Sequence, residues 1–364
     1  MRKSAWRYFD WKLLLIALAL TVIGVAMIYS ATRGSEDLAD VWRKQAIYAT
    51  VGLALMFLTS LINYRLLESL QWPLYILTLA MLGLTLLFGK SEIGHVRRFI
   101  FIGGLSIQPA FPALLMLGIS QASLLSRNAP NPPGVQEFVL SLLTTGVAAF
   151  LVYKQPNLST ATLYGAVWAA LVFTSGMKLG YLGGVGLGGT LVIPLLLPHL
   201  PDYMQNRVYN FMDPRRDPWA QFNLDQALIS IGSGKLWGKG FASGTQSQLH
   251  FLRVRHTDFI FSVICEELGF VGAVLILGLF GLLLWRLLRI AANAGDATGQ
   301  LIVVGVITYI FYQLIVNLGM NLSLLPVAGL PLPFISSGGS GLVIAYIGLG
   351  LVQSVAMRQK PLEF

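Results

Sequence analysis

Asp258-Phe259-Ile260-Phe261-Ser262-Val263-Ile264-Cys265-Glu266-Glu267-Leu268-Gly269-Phe270-Val271 opens a stretch that reaches Trp285 with no further charge. An α-helix rises about 1.5 Å per residue, so about 20 apolar residues cross the hydrocarbon layer of a bilayer. Residues 258–285 exceed that length, and they lack the period-two alternation of a membrane β-strand. The stretch therefore predicts a spanning helix. An acid stands at its mouth, and ionisable groups so close to hydrocarbon are rare and face a cavity or a partner.

The rest of the chain fits that frame. Of its 364 residues 55% are hydrophobic and 11% charged, with a mean hydropathy of +0.69. Soluble domains carry about 25% charged residues. The pattern predicts an all-α polytopic membrane protein, one domain over residues 1–364, with about ten transmembrane helices. Spans are expected at 12–31, 45–63, 70–88, 109–125, 136–153, 159–175, 178–197, 258–285, 299–322 and 338–357. One large extracytoplasmic loop, 198–257, separates helices 7 and 8, and connections of that length are usually functional.

Orientation follows from the short loops. With the N-terminus inside, Arg2, Lys3, Arg7, Arg65, Arg127, Lys178, Arg286, Arg289, Arg358 and Lys360 fall on the inner face. Arg33, Arg43, Lys44, Lys90, Arg97, Arg98 and Lys154 fall outside. The bias has the sign of the positive-inside rule, and an even span count returns the C-terminus to the cytoplasm. The net charge of +9 thus reports orientation and contact with anionic membrane lipids, not nucleic acid. The first apolar run is too long for a signal-peptide core and is read as a retained helix. The single cysteine, Cys265, excludes an intrachain disulfide.

Candidate chemistry gathers around the large loop. Residues 231–240, with Gly232, Gly234, Gly238 and Gly240 among Lys235 and Lys239, suit either close backbone approach to a phosphate or a tight interfacial turn. The spacing is not that of a nucleotide P-loop. Asp258 is either a cap on the helix that follows, a role Thr257 could fill equally, or a catalytic acid. Ser262 and Glu266 follow at i+4 and i+8 and are expected on its face, where they could line a polar cavity. His256 is a candidate proton carrier. No histidine or cysteine pair has metal spacing, so no protein-held metal is expected. Asn317 and Asn321 are read first as interhelical hydrogen-bonding groups. Proline and glycine in 329–341 predict broken helical backbone against a cavity or packed protein.

These motifs together resemble the SEDS (shape, elongation, division and sporulation) family of RodA/FtsW/SpoVE-like proteins. The resemblance is carried by Arg97-Arg98-Phe99-Ile100, Gln108-Pro109, Gln155-Pro156-Asn157-Leu158-Ser159-Thr160, Asp213-Pro214, Gln226 and Ile231-Gly232-Ser233-Gly234. It continues through Gly238-Lys239-Gly240, Gly244-Thr245-Gln246, His256-Thr257-Asp258-Phe259-Ile260-Phe261, Glu266-Glu267-Leu268-Gly269 and the run Asn317 to Ser340. Leu325-Pro326-Val327-Ala328-Gly329 is closer to the RodA branch. The chain departs from the family pattern at Phe111 and Leu114, where an acid and a lysine usually stand, at Asn157, usually aspartate, and at Arg253-Val254, usually Pro-Glu.

The resemblance implies a peptidoglycan glycosyltransferase that polymerises lipid II at the outer face of the bacterial cytoplasmic membrane, in cell-wall elongation and shape. It implies a class B penicillin-binding protein as partner, with other elongation or division machinery. Asp258 matches the family's essential aspartate and is expected to be the general base. The leaving pyrophosphate needs cations, and the candidates are Arg98, Arg215, Arg216, Lys239, Arg253 and Arg255. His256, Thr257, Gln246 and Ser336 complete the expected substrate contacts. No cofactor is certain, although Mg2+ or another divalent cation could bridge Asp258 and the pyrophosphate. A lipid II flippase and a non-catalytic activator of the penicillin-binding protein are the alternatives. The one-sided placement of Asp258 argues against the first, and the intact motif around it against the second.

Overall fold

Asp10 sets where the first helix starts. Its carboxylate accepts the Leu13 amide at 3.1 Å and so caps α1 (Trp11–Thr32). Then follow α2 (Val41–Leu61), the single turn α3 (Tyr64–Glu68), and α4 (Gln71–Phe88). A two-stranded hairpin, Ile100–Ile102 against Leu105–Ile107, leads to α5 (Ala110–Ser126), α6 (Val135–Lys154), α7 (Leu158–Thr174) and α8 (Leu179–Leu196). The chain ends with α9 (Asp202–Met212), α10 (Pro218–Ser233), α11 (Thr245–Gln248), α12 (Ile260–Ala292), α13 (Ala297–Asn321) and α14 (Gly339–Ala356). This computed structural model describes residues 8–89, 98–102, 105–213, 216–249 and 251–359.

A helix stands at each of the ten positions expected to span, within a few residues except that α12 runs on to Ala292. Among the described residues seven are long and apolar enough to cross a membrane, and Ala110–Ser126 and Leu158–Thr174 are shorter apolar helices. The all-α expectation needs one amendment, the short hairpin before α5. The large connection needs another. It is mostly helical, carrying α9, α10 and α11, because its polar helices lie outside the long apolar runs by which spans are read.

The bundle is held by α14 packed on α2, α4 on α5, α6 on α7 and α12 on α13. Small residues bring backbones close. A side chain at Gly350 would meet Met56 O at 2.5 Å, and one at Gly52 the Tyr346 ring at 2.8 Å.

Helix α12 breaks at Gly269, whose φ of 69° and ψ of −166° are open only to glycine. The break frees backbone groups that must find partners in a buried setting. The glycine-rich segment supplies them: Phe270 N donates to Lys235 O at 2.8 Å and Val271 N to Leu236 O at 3.1 Å. In return Lys239 N donates to Glu266 O at 2.9 Å and Gly240 N to Glu267 O at 3.0 Å. A Cβ on Gly238 would lie 2.1 Å from Glu267 O. The glycines serve backbone-to-backbone docking.

Candidate active site

The amide groups of Thr257 and Asp258 both donate to Val254 O at 3.2 Å, forming a tight turn ahead of α12. Val254 sits at φ 51°, a conformation a β-branched residue adopts at a cost of about 1–3 kcal/mol. The strain is held in place from both sides. Ser337 N donates to His256 O at 2.9 Å, and Ser336 Oγ donates to Thr257 O at 2.7 Å. Asn321 Nδ2 and Asn317 Nδ2 donate to Asp258 O at 2.9 and 3.2 Å. Asn317 Nδ2 also reaches Leu330 O at 2.9 Å, which anchors the broken segment after α13. These asparagines are the interhelical links their spacing predicts.

With its backbone so fixed, Asp258 presents its carboxylate to an open cleft of about 400 Å³. Lys44, Gln45 and Tyr48 of α2 line it, as do Gln108, Phe111, His256, Thr257 and the backbone of 337–341. The cap reading of Asp258 is not met: α12 begins at Ile260 behind a Phe259 cap that has no side-chain bond. Burial pushes the Asp258 carboxyl up to about 6, against the pull of Arg207's charge and the Thr257 hydroxyl. A base of that strength is mostly ionised at neutral pH and accepts protons better than an ordinary carboxylate. Burial, helped by the Arg255 charge, lowers His256, which keeps its imidazole neutral.

Arg207 of α9 reaches the residue before Gly329. Its guanidinium lies 3.4 Å from Ala328 O and 3.5 Å from Ser159 Oγ. Arg98 stands beside it, donating to Gln155 O at 3.3 Å and also to Pro156 O. Burial first, and then the Arg207 charge, lowers Arg98 from its ordinary value. Two guanidiniums so close favour an anion between or before them.

The structure thus brings Asp258, His256 and Thr257 together at the cleft, with Arg98 beside Arg207, and gives several other candidates different partners. Ser336 is buried behind the turn, where it also accepts from Leu332 N at 2.8 Å. Lys239 pairs with the fully buried Glu266 at 2.7 Å, and Gln246 donates its backbone amide to the same carboxylate at 3.0 Å. Arg255 is engaged by Ala31 O and by Ser35 Oγ at 2.7 Å, at the end of α1. Arg216 stacks on Tyr209, 4.6 Å from the ring centre, and Arg253 is exposed on the turn. Arg215 lies outside the described residues.

The expected polar face below Asp258 is also corrected. Ser262 donates to Asn321 Oδ1 at 2.7 Å, and Glu266 accepts from Lys239, Thr245 and the Gln246 amide away from the cleft, because Asp258 precedes the helix and does not share its register. Sequence reasoning passed over Arg207, and it counted Lys44 only for orientation. Lys44-Gln45 and Tyr48, polar groups one helical turn apart at the start of a span, were the available signal.

The departures from the family pattern have physical compensation. Asn157 caps α7, accepting Thr160 N at 3.3 Å, as an aspartate would. Phe111 and Leu114 are both buried, and Phe111 meets Tyr309 edge-on at 6.2 Å. Removing both members of an ion pair leaves no charge stranded.

The family model described as cell cycle protein, covering FtsW, RodA and SpoVE, matches residues 10–361. The chain belongs to that family. It is 36% identical to peptidoglycan glycosyltransferase MrdB of Escherichia coli (strain K12), over 100% of this chain and 98% of that one. It is 33% identical to stage V sporulation protein E of Bacillus subtilis (strain 168), over 95% and 96%. Its fold matches a chain from a structure on coordination of polymerization and crosslinking by a peptidoglycan synthase complex. There the TM-score is 0.82 at 32% identity, covering 97% of this chain and 99% of the other. The rod shape determining protein RodA of Thermus thermophilus matches with a TM-score of 0.73 at 30% identity, over 96% and 97%.

Proposed function

We propose that this family member is a peptidoglycan glycosyltransferase that joins lipid II units into glycan strands, with Asp258 as general base. The carrying observation is one ionisable carboxylate, raised to about 6, at the wall of an open cleft with a guanidinium acting on it. The hydroxyl of an acceptor saccharide gives its proton to Asp258 as its oxygen bonds to the donor's anomeric carbon. The bond from that carbon to the pyrophosphate breaks, and the pyrophosphate leaves with the electron pair. One inversion converts an α-linked donor to a β-linked product, so a single carboxylate suffices where a retaining glycosidase needs two.

Arg207, Arg98 and Lys44 are the cations we assign to the lipid pyrophosphates; Lys239 is the structural partner of Glu266. Neutral His256 is placed to donate or accept a hydrogen bond at the sugar. Asp258 is the one carboxylate among the described residues lining the cleft, so a divalent cation would take that oxygen and otherwise pyrophosphate and water. We place the cleft on the outer side of the cytoplasmic membrane, both termini in the cytoplasm, and a class B penicillin-binding protein as partner. The support is the positive-inside bias and the synthase complex in which the structural relative occurs.

The test is purified protein in detergent with labelled lipid II. Wild type yields a glycan ladder, and Asp258→Ala inserts and folds but yields none. A normal ladder from that variant removes Asp258 from the mechanism. Detergent abolishes sidedness, so absence of polymer from wild type with its penicillin-binding protein would favour the flippase reading.

A further inference from the structure

At the end of α12 remote from Asp258 and past the break at Gly269, Arg286 and Arg289 lie roughly 24–29 Å along the helix from Phe270, counting ~1.5 Å per residue. That distance matches the hydrocarbon core of a bilayer, about 30 Å. These arginines therefore sit in the opposite headgroup layer from the cleft. There they border a second open cavity of about 450 Å³, between the start of α1 and the end of α12.

Its charge is uneven. Arg286 is neutralised by Asp10, its Nε 3.0 Å from Oδ2. Lys12 and Arg289 line the same cavity with no carboxylate partner among the described residues. Arg289 is held in place by stacking, its guanidinium carbon 4.0 Å from the Trp285 ring centre. Trp11 lines the cavity and Trp285, stacked with Arg289, is exposed beside it, as expected of indoles that sit at headgroup depth with acyl chains beside them. A soluble anion site has no use for exposed indoles. Two cations with no carboxylate partner among the described residues, an ion pair that fixes the helix ends, and an aromatic rim together fit a phosphate that carries acyl chains.

We propose that this cleft binds an anionic glycerophospholipid of that leaflet, its phosphate on Lys12 and Arg289 and its chains along Trp11 and Trp285. Basic pockets between spanning helices are a recurrent site for such headgroups. Each cation near a charged lipid surface is worth about a fivefold change in affinity. Loss of both should therefore weaken binding about twenty-five-fold, less at high salt.

The test is native mass spectrometry of the full-length protein in detergent at low salt. It is titrated with phosphatidylglycerol or with phosphatidylcholine of matched chains. Wild type should retain one phosphatidylglycerol in preference to phosphatidylcholine. The Lys12→Ala, Arg289→Ala double variant should lose that preference, and the Lys12→Arg, Arg289→Lys variant should keep it. Both cations are exposed, and an unchanged lipid II ladder and melting curve report that the variant is folded. Equal retention of the two lipids by wild type, or undiminished phosphatidylglycerol binding by the double alanine variant, overturns the proposal. So does displacement of the lipid by millimolar inorganic phosphate, which would make the occupant a soluble anion. The readout is binding, so it stands or falls separately from the polymerase assignment.

Discussion

Replacing Asp258 with asparagine should abolish polymerisation while making the folded protein harder to melt. Burial raises this carboxyl from 3.8 to about 6, so its charged form is disfavoured in the folded state relative to the unfolded chain. At about 1.4 kcal/mol per tenfold change in proton affinity, the upper bound at neutral pH is about 3 kcal/mol. Water in the open cleft screens part of that, leaving about 1–3 kcal/mol. Asparagine has similar shape and no charge. The wild type holds its full stability below pH 3.8 and loses this contribution as pH rises through about 6. The advantage of Asp258→Asn is accordingly absent near pH 3.8, grows through that window, and is complete above it. Melting followed in detergent at pH 4 and pH 7.5 should show a gain of a few degrees only at the higher pH. The wild-type polymerisation rate should fall as pH drops through about 6, because the base is then protonated. A variant that is less stable at pH 7.5, or a gain that does not depend on pH, would refute a buried, proton-accepting Asp258.

Arg207→Ala should lower kcat/KM for lipid II by about 10- to 100-fold, the worth of a charge-assisted hydrogen bond, whereas Arg216→Ala should stay within a few-fold. An equal effect of the two on glycan yield would remove Arg207 from the site. Lys239→Ala strands the fully buried Glu266 carboxylate and should destabilise by about 3–5 kcal/mol, with most of it recovered in the Lys239→Met, Glu266→Gln double variant. Thermal melting of the single and double variants checks this coupling. Gly269→Ala forces a side chain into a glycine-only conformation 2.3 Å from Gly238 N. It should destabilise by about 2–4 kcal/mol and loosen the glycine segment, visible as faster amide exchange there. Asn157→Ala should lower stability by about 1 kcal/mol and Asn157→Asp should not, by the same melting assay.

The spanning helices were legible in the chain because crossing hydrocarbon is a one-dimensional requirement: enough consecutive apolar residues, with no charge left unpaired. Residues 258–285 satisfied it on their own, and the motif at His256-Thr257-Asp258 marked the acid that lines the cleft. The helices α9 and α10 were not legible, since short polar helices leave no such run. Nor could spacing rank the basic residues. Lys239 looked like a phosphate ligand and is a partner for Glu266. Arg255, next to His256 in sequence, is drawn to Ala31 and Ser35. Arg207, 51 positions before Asp258, is the guanidinium whose charge acts on it. Sequence alone determined where the long apolar helices run and which acid precedes α12. Which cations face that acid was decided only by the tertiary packing, because electrostatic partnership falls with distance in space and takes no account of separation along the chain.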